Sequence, residues 1–149
     1  MIDTSQLNVH ELRAAVVRRI AGESRPTIVN LSSFGFRYGV PPGVEMLFDV
    51  RCLPNPYFEE ALRESTGRDA EVAAFVLAGA VGRDYYDRLR GMLEFVLPLN
   101  DREGKAYMSI AIGCTGGRHR SVAVVEALAK DLHGAGREVN VDHRDVERT

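Results

Sequence analysis

The chain has little cysteine. Cys52 and Cys114 stand far apart among 149 residues, with no metal-type spacing, and a disulfide scaffold is not expected. His10, His133 and His143 share no metal-ligand spacing either, so the sequence predicts neither a metal site nor a cofactor. No apolar run is long enough to span a bilayer, and no signal-peptide pattern is visible. The expectation is a cytoplasmic protein with no membrane partner. Excess charge is missing too. Nineteen Lys and Arg stand against twenty-one Asp and Glu, a net charge of −2. That gives no global pull toward nucleic acid, so RNA binding would need a local basic patch. There is no internal repeat and no low-complexity stretch. What remains is an ordinary globular composition, 45% hydrophobic and 27% charged, over a length suited to one domain spanning 1–149 with its own core.

The most informative segment is Cys114-Thr115-Gly116-Gly117-Arg118-His119-Arg120-Ser121. It follows a strand-like run, Tyr107 to Ile112, and precedes a run in which Val122, Val125, Leu128 and Leu132 recur at helical spacing. A short turn with two glycines at this point exposes backbone N–H groups beside the positive end of a helix. Arg118, His119 and Arg120 add donors, and Thr115 and Ser121 add hydroxyls. The pattern is that of an anion pocket, with phosphate as its natural guest.

Asn8 with Glu11 reads as a capping box ahead of a helix near 9–21, with Leu12, Val16 and Ile20 on one face. Strands are expected at 27–32, 45–51 and 137–142, besides the one before the turn. Asp69 is positioned to cap a helix carrying Val72, Phe75 and Val76. Tyr85, Leu89, Met92, Leu93 and Val96 mark another. The charged run Arg83, Asp84, Asp87, Arg88 and Arg90 reads as its solvated face. Strands alternating with helices predict a single-domain α/β layered fold, a small mixed or parallel sheet flanked by helices. In such folds ligands bind beyond the carboxyl ends of the strands. The loops after Ser32, after Arg51 and after Ile112 are therefore expected to converge.

Other residues have two readings. Cys114 and Arg120 are spaced Cys-x5-Arg, followed by Ser121, as in the tyrosine-phosphatase signature, where a thiolate attacks phosphorus. Gly113 occupies the place of the usual histidine, and only Asp49 suggests itself as a general acid. The plainer reading makes Cys114 a small buried residue at a strand end. His119 can contact a ligand or donate to a carbonyl. Asp49 and Arg51 can form a structural ion pair or belong to the site. In the loop 33–41, Gly35 and Gly39 suit tight turns, while Phe34, Phe36 and Tyr38 can pack or stack on a ligand. His133 reads as a helix C-terminal residue, favourable to the dipole.

Several ordered blocks carry a family resemblance. Ser33-Phe34-Gly35-Phe36-Arg37-Tyr38-Gly39-Val40-Pro41 is similar to the SFGFKYGIP segment of the RNase adapter family RapZ. Phe48 to Pro56 resembles its FDVRFLPNP segment. Thr66-Gly67, Ala111 to Val122 and the terminal His143-Arg144-Asp145 match as well. The resemblance covers about 28–145 and concerns the C-terminal domain of that family, with 1–26 as an N-terminal helical extension. The family's N-terminal domain is a P-loop unit. The pattern G-x-x-x-x-G-K-S/T is not found here, since Gly104-Lys105 is followed by Ala106, so nucleotide hydrolysis is not implied.

The resemblance implies an aminosugar-phosphate sensor that binds a small regulatory RNA, presents it to an endoribonuclease and self-associates. It places Thr115, Gly116 and Arg120 on the sugar phosphate, and the sugar toward Asn55 and Tyr57. Tyr57 departs from the family's RNA-regulating members, which have a ligand-contacting histidine there; tyrosine cannot become a cation. The ending Asp145-Val146-Glu147-Arg148-Thr149 also departs from their basic tail. The leading expectation is a non-catalytic sensor or adapter for a phosphorylated small molecule, using Thr115 to Ser121 with Asn55 and Tyr57, as a homo-oligomer with a regulatory protein partner. A cysteine-dependent phosphatase using Cys114 and Arg120 is the second reading. An RNA-binding module, weak and salt-dependent, is the third.

Overall fold

Asn8 and Glu11 cap the first helix reciprocally. The Asn8 N–H donates to Glu11 Oε2 at 2.8 Å and the Glu11 N–H to Asn8 Oδ1 at 2.9 Å. Helix α1 follows over Val9–Ala21. The structure, a computed structural model, describes residues 8–21 and 25–148. Strand β1 runs Ile28–Gly35, β2 Met46–Asp49, β3 Tyr107–Cys114 and β4 Val139–His143. Helices α2, Ala70–Leu77, and α3, Ala80–Glu103, lie between β2 and β3, and α4, Arg120–Gly134, lies between β3 and β4.

The four strands form one sheet in the order β2-β3-β1-β4, with every pair parallel. The class is α/β, as the alternation predicts, and the sheet is parallel throughout. All four carboxyl ends therefore share one edge. Strand β1 is longer than expected because Ser33, Phe34 and Gly35 continue its ladder against Ile112, Gly113 and Cys114. The reading of 33–41 as loop is corrected accordingly: its first part is strand, followed by a 3-10 turn at Phe36–Tyr38. Phe34 is fully buried and meets Phe36 edge-on at 4.8 Å. It is a packing residue, out of reach of a ligand.

Val29 and Leu31 of β1 and Met108, Ile110 and Ile112 of β3 form one core with Val72 and Val76 of α2, Leu89, Leu93 and Leu97 of α3, and Val125, Leu128 and Leu132 of α4. The first turns of α4 are buried on every side from Arg120 to Val125. Gly67 explains the second side. A Cβ there would stand 2.3 Å from His119 O and from Ala123 N, so only glycine lets the 66–67 loop lie against the start of α4. Gly104, beside Lys105, is the left-handed cap of α3 (φ 72°).

Ion pairs at its margin tie the outer segments to this core. Asp101 accepts from the Thr27 N–H at 2.7 Å and pairs with Arg137 at 2.7 Å. Asp49 pairs with Arg51 at 2.6 Å, the structural reading of that pair, and Glu45 pairs with Lys105. All these carboxyls, and Asp145, titrate below their ordinary range. Burial, the largest single influence, pushes Glu45, Asp101 and Asp145 upward, and the hydrogen bonds and charges of Lys105, Arg137 and Arg144, together with the N–H groups of Ser109, Thr27 and Gly35, outweigh it in sum. For Asp49 the hydrogen bond from Arg51 is the leading cause. A carboxyl lowered in the folded state stabilises it fully above the unfolded pKa, about 4, and that contribution is lost as pH falls through the depressed folded values. Urea denaturation midpoints are thus expected to drop steeply below pH 4, with a shallower fall between pH 7 and 5, where His119, held below its ordinary pKa in the fold, takes up a proton more readily in the unfolded chain. A midpoint unchanged at pH 3 contradicts this linkage.

Candidate functional site

At the shared carboxyl edge, the segments after the strands enclose one cavity of about 460 Å³. The three loops expected to converge do so. Arg37 and Tyr38 come from the segment after β1, Asn55 and Tyr57 from that after β2, and Thr115, Gly116, Arg118, His119 and Arg120 from the turn after β3. A fourth contribution, Arg148, comes from the segment after β4. It goes unnoticed in the sequence because nothing local shows that β4 lies beside β1.

The turn is held by a close crossing of backbones. A Cβ on Gly117 would stand 2.5 Å from Gly35 N, and one on Gly35 would stand 2.5 Å from Gly116 C. Gly117 also has φ +76°, a conformation glycine adopts at no steric cost. The Arg37 N–H donates to Thr115 O at 3.2 Å. Beneath the crossing lies Asp145, fully buried, which accepts from the Gly35 N–H at 2.8 Å and from Arg144 at 2.7 Å.

Among the described residues, the N–H groups of Gly116, Arg118 and His119 find no backbone acceptor. These are the donors an oxyanion uses at a helix N-terminus. Arg120 is only 6% exposed. Its Nη1 donates to Arg51 O at 2.6 Å and Leu53 O at 3.3 Å, and its Nη2 to Thr115 Oγ1 at 3.3 Å. Its Nε is buried without a partner, a costly state for a charged donor. Arg120 thus pins the loop after β2 to the turn and keeps one unmatched donor.

The neighbouring cations are more committed. Arg118 donates to the carbonyls of Glu64, Ser65 and Val146. His119 Nε2 lies 3.0 Å from Arg63 O, which can only accept, so Nε2 carries the proton. Burial foremost, with the charges of Arg118 and Arg120, keeps His119 below its ordinary pKa. It is a neutral ring bracing the 63–65 loop. Gly117 and Ser121 lie behind the cavity wall, both buried.

Cys114 is buried at the strand end. Its Sγ is 3.1 Å from Ser121 Oγ and accepts from the Gly117 N–H at 3.3 Å. The Asp49 carboxylate is held by Arg51 and is not part of the cavity wall, whose one carboxylate is Glu64. Gly113, at the place of the phosphatase histidine, has a packing cause: a Cβ would come within 2.6 Å of the Phe34 and Phe36 rings. Ser33 Oγ, 2.7 Å from His143 Nδ1, and Glu126 Oε1, 2.6 Å from His143 Nε2, form a triad-like chain. Ser33 is fully buried and outside the cavity wall, so the chain is a tie between β1, β4 and α4.

The RapZ C-terminal domain family matches residues 27–147. The chain belongs to that family. A nucleotide-binding protein of Anaeromyxobacter sp. (strain K) is 51% identical over 99% of this chain and 51% of its own length. A nucleotide-binding protein of Geobacter sulfurreducens is 48% identical over 99% of this chain and 53% of its own. One from Ruegeria sp. is 47% identical over 98% and 49%. The chain therefore spans about half the length of these relatives. The family blocks read from the sequence map onto the cavity edge: the segment after β1, the segment after β2, the Gly-Gly turn, and the HRD that supplies Asp145. Tyr57 stands half exposed in the wall, its N–H donating to Asn55 Oδ1 at 3.2 Å. Among the described residues no helix is long and apolar enough to cross a membrane, and no His/Cys/Asp/Glu cluster of metal-binding type occurs.

Proposed function

We propose that this domain binds a phosphorylated small molecule, with the phosphate at the turn Thr115 to Arg120 and the remainder toward Asn55 and Tyr57, and that it acts as a non-catalytic sensor. The observation that carries the reading is the turn that lines the cavity: the N–H groups of Gly116, Arg118 and His119 have no backbone acceptor, and the Arg120 guanidinium adds positive charge beside them. A phosphate oxygen is an acceptor that can satisfy them. The relatives' name is compatible, since a nucleotide is itself a phosphorylated small molecule. The family resemblance adds a sugar or aminosugar phosphate as the ligand class, and with it RNA contact and self-association. RNA contact in a chain of net charge −2 would be weak and salt-dependent.

A thermal-shift panel tests this. Glucose 6-phosphate and glucosamine 6-phosphate are expected to raise the melting temperature by several degrees, because a hundredfold excess over Kd adds about 2.7 kcal/mol. The unphosphorylated sugars should do nothing. Tyr57→His is expected to favour the aminosugar over the plain ester while leaving phosphate affinity nearly unchanged. No shift with any phosphate in a folded sample defeats the reading.

A further inference from the structure

The cavity wall carries more positive charge than one phosphate ester calls for. Five arginines, Arg37, Arg63, Arg118, Arg120 and Arg148, face one carboxylate, Glu64. Four of the five are tied down. Arg118 and Arg120 hold backbone carbonyls. Arg63 donates to Tyr57 O at 2.9 Å and lies over the Tyr57 ring at 5.0 Å. Arg148 pairs with Asp145 at 3.2 Å and lies over the Tyr38 ring at 4.7 Å. Arg37 is different. Its guanidinium makes no hydrogen bond, ion pair or ring contact among the described residues.

Its placement is nonetheless set by the fold. The Arg37 N–H is bonded to Thr115 O, and two residues earlier Gly35 crosses the Gly116–Gly117 backbone in contact. The side chain therefore leaves the chain beside the turn and enters the same cavity wall. A lone surface arginine means little. Here an unpaired one is anchored to the phosphate turn, next to a tyrosine whose far partner is a second arginine.

We propose that the ligand carries two anionic groups: one phosphate at the turn, and a second, a phosphate or carboxylate, recognised by Arg37 on the Tyr38–Arg148 side. This rests on the phosphate reading of the turn and adds to it. Arg37 sets specificity for the second charge and leaves affinity for the first nearly unchanged. One charge-assisted hydrogen bond supplies about tenfold in affinity or more.

Titration calorimetry at low salt with glucose 6-phosphate and glucose 1,6-bisphosphate is the test. The bisphosphate is expected to bind about tenfold tighter. Arg37→Ala should erase most of that difference while changing glucose 6-phosphate affinity less than about twofold. Arg37 is exposed and unpartnered, so the variant should melt like the parent. Equal affinities for the two esters, or an Arg37→Ala variant that weakens both alike, overturns the proposal with the phosphate reading intact. Binding of neither ester overturns both.

Discussion

Asp145→Ala is expected to destabilise the fold by about 3 kcal/mol or more, in the range measured when one partner of a buried ion pair is removed. Asp145 has no exposed surface. It takes the Gly35 N–H at 2.8 Å, Arg144 through both oxygens at 2.7 to 3.1 Å, and Arg148 at 3.2 Å. Its removal strands the Gly35 N–H in a place water does not reach, and leaves two guanidinium groups without their anion. Those groups are partly exposed, at 27% and 54%, so water recovers some of the loss and the figure sits at the lower end. Against a typical total of about 5–15 kcal/mol, that is a large fraction. Asp145→Asn keeps an acceptor for Gly35 but not the charge, and should fall between parent and alanine. Urea denaturation measures all three. A loss below about 1 kcal/mol for the alanine variant would mean that Asp145 behaves as a surface ion pair.

Much of the site's position is legible in the residues, because its causes are local. The capping box at Asn8 and Glu11, the strand ahead of the turn, read to Ile112 and running to Cys114, and the helix after the turn each follow from a few adjacent side chains. Once strands and helices alternate, the carboxyl edge of a parallel sheet is the one place where glycine-rich loops can meet. What is not legible depends on partners distant in the chain. Arg118 and His119 sit in the turn and look like ligand donors. Their side chains turn instead to the carbonyls of Arg63, Glu64 and Ser65, more than fifty residues earlier. Phe34 looks available for stacking, but Gly113 in the neighbouring strand opens the space that buries it. Arg148 and Asp145 enter only because β4 joins the sheet beside β1.

The two glycines of the turn should separate folding from binding. Gly117→Ala is expected to cost about 2–5 kcal/mol, combining an L-residue in a left-handed conformation with overpacking against backbone. The added Cβ would lie 2.5 Å from Gly35 N, 2.8 Å from Phe34 C and 2.9 Å from Asp145 Cβ. The first two of these are main-chain atoms and cannot rotate away. Gly116 is the opposite case. A Cβ there meets nothing within 4 Å, its φ is not positive, and the residue lines the cavity. Gly116→Ala should therefore leave the urea midpoint within about 0.5 kcal/mol of the parent. Its methyl group would stand beside the turn N–H groups, where an oxyanion must come within about 3 Å of its donors. The expected result is a stable protein with sugar-phosphate affinity lowered about tenfold or more, the loss of at least one charge-assisted hydrogen bond. Denaturation and calorimetry on the same two variants give the crossed pattern: Gly117→Ala fails the first measurement, and Gly116→Ala passes the first and fails the second. Full binding by a stable Gly116→Ala protein would move the phosphate away from the turn.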